Sequence, residues 1–441
     1  MFPNPQDALP LPRHANVEQY HELADELVKA CMSSDPAAVR QWAARWIERL
    51  AALPNQSEAL RPDADLGARV DQVEQFARQT LAGDRSFTQC ALSDARLVIV
   101  RSHGFPSWPV FVEHIESLAR AQSPVAAFER AADAIVTGDI ATLERLLHEH
   151  PDLIRARSQR EHRATLLHYV SANGVENYRQ MSPGNIAAIT RLLLVAGAEV
   201  DAGADVYGGG CTALGLVATS APPSLAGVQQ DVIDVLLEHG AAVDGNGAGG
   251  GRWSLVRACL ANGQPRAAGY LASRGAPVDL AGAAGLGRTD IVKRIIDGRP
   301  QQTLIGAEIE DAFALACAYG RTEVIALLLG LGFDVDHELK GHGDGHTGLH
   351  VAAYHGHDEA VDTLLRSGAR VDAIDKTWRT PPLIWALTGW SREPSADAVD
   401  YRTVVARLVG AGAAVNPDLF DWDRVREDPG MLAALRGRAA E

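Results

Sequence analysis

The sequence predicts an all-α protein with three parts: a helical N-terminal domain over residues 1–122, a helical repeat array over 124–416 and a capping segment over 417–441. Three observations carry this. A five-residue phrase recurs as GAEVD from Gly197, GAAVD from Gly240, GAPVD from Gly275, GFDVD from Gly332, GARVD from Gly368 and GAAVN from Gly412. Each copy follows a leucine-rich segment whose apolar residues lie three and four apart, the spacing of one helix face. The first 122 residues carry amphipathic helical patterning and no copy of the phrase.

In the N-terminal part, NVEQYHELADELVKACM, DPAAVRQWAARWIERLA and DLGARVDQVEQFARQTLA each read as an amphipathic helix. Asp35-Pro36 opens the second of these, as a cap followed by proline at the first helical position. Trp42 and Trp46 lie four apart on it and are expected in the core. ALSDARLVIVRSHGFPSWPVFVEHIESLAR reads as two more helices; His103-Gly104 ends the first and Ser107 caps the second. Gln122-Ser123-Pro124 is the linker.

Within the array, successive phrases are offset by 43, 35, 57, 36 and 44 residues, so the base period lies in the mid-thirties with insertions. The offset of 57 hides a shortened unit from Leu280 to Gly298. The phrase's glycine suits the left-handed position after a helix, where a Cβ is penalised. Leu192, Leu236, Leu327 and Leu364 are expected to be buried.

The clearest unit, TGLHVAAYHGHDEAVDTLLRSGARVD from Thr347, resembles the ankyrin repeat. Thr347, Leu349, His350 and Ala352 fall on that family's T-P-L-H-x-A signature, with Gly348 where proline is usual. Thr165, Leu167 and His168 keep the pattern. Thr212 and Leu214 keep it with Gly215 in place of histidine, and Thr380 opens TPPL, one residue longer. About eight units fit between residues 124 and 416, several degenerate. The first unit lacks the signature, which suits an outer face covered by the N-terminal domain. The GFPSWPVFVEHI phrase is similar to segments that precede ankyrin arrays in other bacterial proteins. The tail reads as the end cap that a solenoid requires.

The resemblance implies protein–protein recognition through finger tips and the concave helix face, without intrinsic catalysis or a cofactor. A bacterial cytoplasmic adaptor or inhibitor is one form of this; a secreted effector is another. Lys plus Arg number 41 against 56 Asp plus Glu, a net charge of −15. That balance argues against nucleic acid and anionic membrane as partners and favours a protein with a basic patch. Five scattered cysteines form no CxxC pair, which points to a reducing compartment. No apolar run reaches the roughly 18–20 residues of a membrane span, and the start, MFPNPQDALPLPRH, lacks the pattern of a secretory signal.

His342, Asp344, His346, His350, His355 and His357 crowd one stretch, yet the repeat pattern accounts for His350, His357 and Asp344. The remainder lack a ligand spacing such as HExxH, so no metal is expected. The glycine-rich stretches at 245–252 and 207–212 lack GK[ST] and fall where finger loops turn. No GxSxG or other nucleophile motif is present. Trp385 is placed at a helix end and Trp390 in a loop.

The second and third units carry about eleven and seven extra residues between their helices, SANGVENYRQMSPGN and ATSAPPSLAGVQQ. His168, Tyr169, Asn173, Glu176, Tyr178, Arg179, Gln180, Tyr207, Thr219, Ser220 and Gln229 gather there. Two readings stay open. These groups orient a small molecule, reacting substrate or partner, or they bond to one another to satisfy the loops.

Overall fold

The computed structural model describes residues 4–12, 15–52, 66–82, 90–120, 122–244, 253–298, 306–340, 345–392 and 401–437. Among them the regular structure is helical, with isolated antiparallel bridges at Arg157–Thr165, Ala204–Cys211 and Leu339–His346. The chain divides into two compact units, 1–270 and 271–441.

In the first unit, α1 (Val17–Met32), α2 (Ala38–Ala51), α3 (Leu66–Ala82), α4 (Leu92–Ser102) and α5 (Trp108–Leu118) enclose a core containing Trp42, Trp46, Phe105 and Phe111. Trp42 Nε1 donates to the Leu23 carbonyl at 3.1 Å, so the buried indole keeps a partner. Asp35 accepts from the Ala37 N–H at 2.8 Å, one turn ahead of α2. Ser107 precedes α5 without a side-chain capping bond.

Helix pairs follow. They are α6 (Pro124–Thr137) with α7 (Ile140–Glu149), a 3₁₀ turn at Leu166–Ser171 with α8 (Ile186–Val195), and α9 (Ala213–Ala218) and α10 (Ala221–Leu225) with α11 (Gln229–Glu238). Next come α12 (Leu255–Ala261) and α13 (Pro265–Ser273). Ser123 caps α6 by accepting from Ala126 N–H at 3.0 Å. α5 packs on α6, and the Glu161 N–H donates to the Gly104 carbonyl at 2.8 Å.

The second unit continues with α14 (Leu280–Leu286) and α15 (Thr289–Asp297), α16 (Ala307–Ala318) and α17 (Thr322–Gly330), α18 (Gly348–Tyr354) and α19 (Asp358–Arg366), and α20 (Pro382–Arg392) and α21 (Tyr401–Gly410). First helices stack in the order α14, α16, α18, α20 and second helices in the order α15, α17, α19, α21. The short α22 (Asp423–Arg426) and α23 (Pro429–Leu435) close the end, with Val425 and Met431 buried.

The recurring phrase has one structural meaning throughout. Its glycine has φ near +90° at Gly197, Gly240, Gly332, Gly368 and Gly412. The next N–H then reaches the carbonyl four residues before the glycine, as in Ala241 to Leu236 and Ala369 to Leu364, at 3.0 and 3.1 Å. This is the bond pattern of a Schellman stop. The leucine four before the glycine is the buried one: Leu193, Leu236, Leu328 and Leu364. Leu192 and Leu327, expected in the core, are half-buried instead. In a run of three leucines periodicity cannot choose among neighbours; the distance to the helix stop does. The phrase's aspartate also works between units. Asp201, Asp336 and Asp372 accept from the N–H groups of Ala242, Arg370 and Ala414 in the next phrase, at 3.1, 2.9 and 3.1 Å. Trp385 and Trp390, placed by the sequence at a helix end and in a loop, both lie in α20, and Trp390 is buried. The second proline of TPPL starts that helix, which shifts it later than the signature suggests.

Candidate functional site

The insert of the second repeat is held by a buried ionic cluster. Glu129 and Asp133 project from α6, Arg160 and His162 from the finger loop that follows α7, and Glu176 and Arg179 from the insert. Arg160 Nη1 donates to Glu129 Oε1 at 2.7 Å, and Arg179 Nη1 to Glu129 Oε2 at 2.8 Å. Arg160 Nε lies 2.8 Å from Glu176 Oε1, and Arg179 reaches Asp133 Oδ1 at 2.7 Å. His162 Nδ1 accepts from the Ala164 N–H at 3.0 Å, so its Nε2–H faces Glu176 Oε1 at 3.4 Å. Arg160 Nη2 donates to the Tyr178 hydroxyl at 3.2 Å. The Arg179 guanidinium stands 5.7 Å from the Tyr169 ring centroid and 5.5 Å from that of Tyr178.

Glu176 is fully buried, and Arg160 and Arg179 are 2% and 4% exposed. Burial alone raises both carboxyl pKa values. The two guanidiniums override it, holding Glu129 at about 2 and Glu176 well below the usual range. Burial likewise opposes the arginine charges, and Glu129, Asp133 and Glu176 restore them. Burial pushes the hydroxyls of Tyr169 and Tyr178 up.

The other insert residues serve the backbone. His168 Nδ1 lies 3.1 Å from Thr165 N and 2.8 Å from its Oγ1, and Nε2 donates to the Cys211 carbonyl at 3.1 Å. This locks one finger to the next. Gln229 Nε2 donates to the carbonyls of Val217, Ala218 and Ser220 at 3.0, 3.3 and 3.2 Å, satisfying the end of α9. Gln180 Nε2 donates to the Val175 carbonyl at 2.8 Å. Asn173 accepts from the Tyr207 hydroxyl at 2.8 Å and donates to Thr219 Oγ1 at 3.3 Å. Ser220 Oγ donates to the Ala172 carbonyl at 3.2 Å.

The structure thus joins Tyr169, Glu176, Tyr178 and Arg179 in one cluster and Asn173, Tyr207 and Thr219 in a second. Gln229 donates to the Ser220 carbonyl, while His168 and Gln180 bond to the backbone elsewhere. Sequence reasoning missed Glu129, Arg160 and His162. A charged Glu129 set inside the alanine-rich face of AAFERAADAIV was the available signal.

Beside the insert, a pocket of about 420 Å³ is lined by Phe76, Arg101, Glu161, His162, Asp205 and Tyr207, among others. Arg101 and Glu161 are paired across it. Of the residues singled out for the inserts, Tyr207 alone lines it.

The second unit presents a different surface. His350 and His357 act structurally: their Nε2 atoms donate to the carbonyls of Thr380 and Ala318 at 3.2 and 2.9 Å. Against His350 rests Trp385, edge to face at 5.3 Å, with His346 stacked on it at 5.4 Å. Trp378 and Tyr354 meet Trp385 at 5.2 and 6.0 Å with planes 69° and 78° away. Asp375, 1% exposed, organises the finger. Its Oδ1 accepts from Thr377 and Trp378 N–H at 2.9 and 2.6 Å, and its Oδ2 from Thr380 N–H and Oγ1 and from Trp385 Nε1 at 2.9, 2.8 and 3.3 Å. Burial alone raises its pKa; these donors hold it well below the usual range. Trp378 is 58% exposed.

Among the described residues no group of three or more His, Cys, Asp or Glu side chains is placed to hold a metal ion. His342 and Asp344, and the glycine-rich stretch at 245–252, lie outside the described residues. No helix among the described residues is long and apolar enough to cross a membrane.

Residues 280–375 match the family model for ankyrin repeats, in three copies. The ankyrin repeat domain of human ASB11 is similar at 19% identity, over 65% of this chain and 99% of that one, with a TM-score of 0.33. No curated protein matches the sequence significantly. The all-α class stands, with ankyrin repeats in the C-terminal region and a helical N-terminal part.

Proposed function

We propose that this protein is a recognition module that binds a protein partner through the finger tips and inner helices of an array spanning residues 124–416. In this reading residues 1–122 form a helical domain and 417–441 the closing cap. The observation that carries it is the aromatic cluster next to the matched repeats, where the mostly exposed Trp378 meets the half-buried Trp385, with half-buried Tyr354 against the same indole. Interface anchors are rich in tryptophan and tyrosine. The net charge of −15 favours a partner with a basic patch over nucleic acid. We extend the reading to a bacterial adaptor or inhibitor acting in the cytoplasm. Support comes from the GFPSWPVFVEHI segment and from five scattered cysteines that form no CxxC pair.

A photo-crosslinking residue placed at Trp378, compared with one at Glu359 on the outer helix α19, tests the surface in cells. Partner adducts are expected from position 378. Adducts from position 359 alone would overturn the assignment. A second reading, a small-molecule site, rests on the pocket beside His162, Asp205 and Tyr207. Against it, the charged insert residues spend their bonds on one another.

A further inference from the structure

The pocket of about 420 Å³ in the first unit is lined by two charged groups of opposite sign with bonding capacity to spare. Asp205 stands on the finger loop that leads into α9. Its N–H donates to the His162 carbonyl at 2.8 Å. Its carboxylate meets no donor or cation among the described residues. Arg101, on α4, spends Nη1 on Glu161. Its Nε and Nη2 make no hydrogen bond among the described residues. The neighbouring charges differ. Asp7 pairs with Arg69 at 3.9 Å, and Glu129 and Glu176 are held by Arg160 and Arg179. Glu161 and His162 are consecutive, so Arg101 and Asp205 flank one short stretch of the second repeat's finger. Pro5, Phe76, Leu97 and Val206 add apolar wall.

The loop that carries Asp205 is preset. Ala204 and Cys211 exchange hydrogen bonds at 2.9 and 3.1 Å, and the tip turns through Tyr207, Gly208, Gly209 and Gly210, all with positive φ. Tyr207, at φ 50°, carries backbone strain that the glycines do not. Its hydroxyl pins the tip by donating to Asn173 Oδ1 at 2.8 Å. Asp205 is therefore presented on a rigid hairpin, which lowers the ordering cost of binding.

We propose that this pocket binds a zwitterion of about dipeptide size, with its ammonium group on Asp205, its carboxylate on the unused N–H groups of Arg101 and its apolar side chains against Phe76, Leu97 and Val206. This rests on the small-molecule reading above and gives it a ligand class. The volume lies within the range of small-molecule pockets, about 300–1,000 Å³. A simple anion leaves Asp205 unpaired and a simple cation leaves Arg101 unpaired; a ligand with both charges satisfies the two groups together.

The test titrates L-leucyl-L-phenylalanine into the full-length protein by calorimetry, beside its C-terminal amide and its N-acetyl form. The dipeptide is expected to bind saturably and at least about tenfold more tightly than either blocked form, because each of these loses one charged hydrogen-bonded contact. Asp205→Asn should weaken the dipeptide and the amide at least about fivefold, but not the N-acetyl form. Arg101→Gln should weaken the dipeptide and the N-acetyl form by a similar factor, but not the amide. This crossed pattern belongs to direct contact, whereas a loss of shape weakens all three ligands alike. Equal affinity for the three would overturn the zwitterion while leaving a small-molecule site, and so would uniform weakening by both variants. No saturable binding by any of the three would overturn the site together with its ligand class.

Discussion

Arg179 in the second repeat's insert donates from Nη1 to Glu129 Oε2 on the first repeat's opening helix, 2.8 Å apart, with both side chains buried. Of the two readings the sequence leaves open for Arg179, a ligand anchor or a group that bonds within the loops, these contacts make it a clamp between two repeats. Its removal leaves Glu129 and Glu176 sharing one guanidinium. Arg179→Ala is expected to cost about 3–5 kcal/mol of stability, the range for breaking a buried pair. Urea denaturation of the first unit's fluorescence reads it. A loss below about 0.5 kcal/mol, typical of a surface arginine, would refute the clamp.

The buried histidines set the acid limb. Burial lowers His103, His114 and His168 from 6.5 to about 4. Each binds a proton more weakly folded than unfolded, so falling pH favours the unfolded chain from about 6.5 down to about 4. Glu129, lowered to about 2, acts in the same direction further down, from about 4.5 towards 2. Stability is expected to be flat between about pH 7 and 8, to fall steadily below 6.5, and to fall again at alkaline pH, where the buried thiols and tyrosine hydroxyls whose pKa values burial raises ionise in the unfolded chain. His103→Gln should make the fall between 6.5 and 4 shallower even though it weakens the protein at pH 7. Urea midpoints at four pH values decide; an unchanged slope counts against this account.

The finger that carries Trp378 depends on one carboxylate. Asp375→Ala removes the acceptor for three backbone N–H groups, a hydroxyl and the Trp385 indole. Water replaces part of this, so a local cost of about 1–3 kcal/mol is expected. Amide exchange at Thr377, Trp378 and Thr380 should quicken by one to two orders of magnitude, and Asp375→Asn should recover little. Unchanged exchange at these amides would show that the finger holds its shape without the carboxylate.

How far the sequence speaks follows the range of each interaction. The GA-x-V-D phrase is legible because the glycine stop and the buried leucine lie within five residues. The Thr165–His168 and Thr347–His350 locks are legible for the same reason. The ionic cluster is not: Glu129 meets Arg160 from 31 residues away and Arg179 from 50. Only stacking of successive units makes them neighbours, so the sequence leaves Arg179 and Glu176 open between a ligand site and loop self-packing and does not show their partners. The aromatic contacts around Trp385 are hidden likewise. Trp378 and Trp385 belong to one unit, but Tyr354 comes from the unit before. The half-buried Leu192 and Leu327 fail differently, since three adjacent leucines blur the register.

Gly348 explains the one departure of the clearest unit from its family's signature, and the explanation is testable. It follows the Thr347 cap at the first position of α18, where proline is favoured because it presets φ and has no N–H to waste. A Cβ at Gly348 would lie 2.5 Å from Phe313 Cε1 and 2.9 Å from Cys317 Sγ. The phenylalanine of the preceding unit occupies the room that proline normally takes. Phe313 is fully buried and packs on Phe333 at 4.7 Å, so it cannot swing away cheaply. Gly348→Ala and Gly348→Pro should each destabilise by about 1–3 kcal/mol, the range for overpacking a core. Phe313→Leu removes the ring atoms that clash, at a loss of its own. Combined with Gly348→Pro it should give a favourable coupling of at least about 1 kcal/mol, because neighbours competing for one space are not additive. A double-mutant cycle by urea denaturation measures it. Additive losses would mean that the glycine serves the backbone and that Phe313 is not what excludes proline.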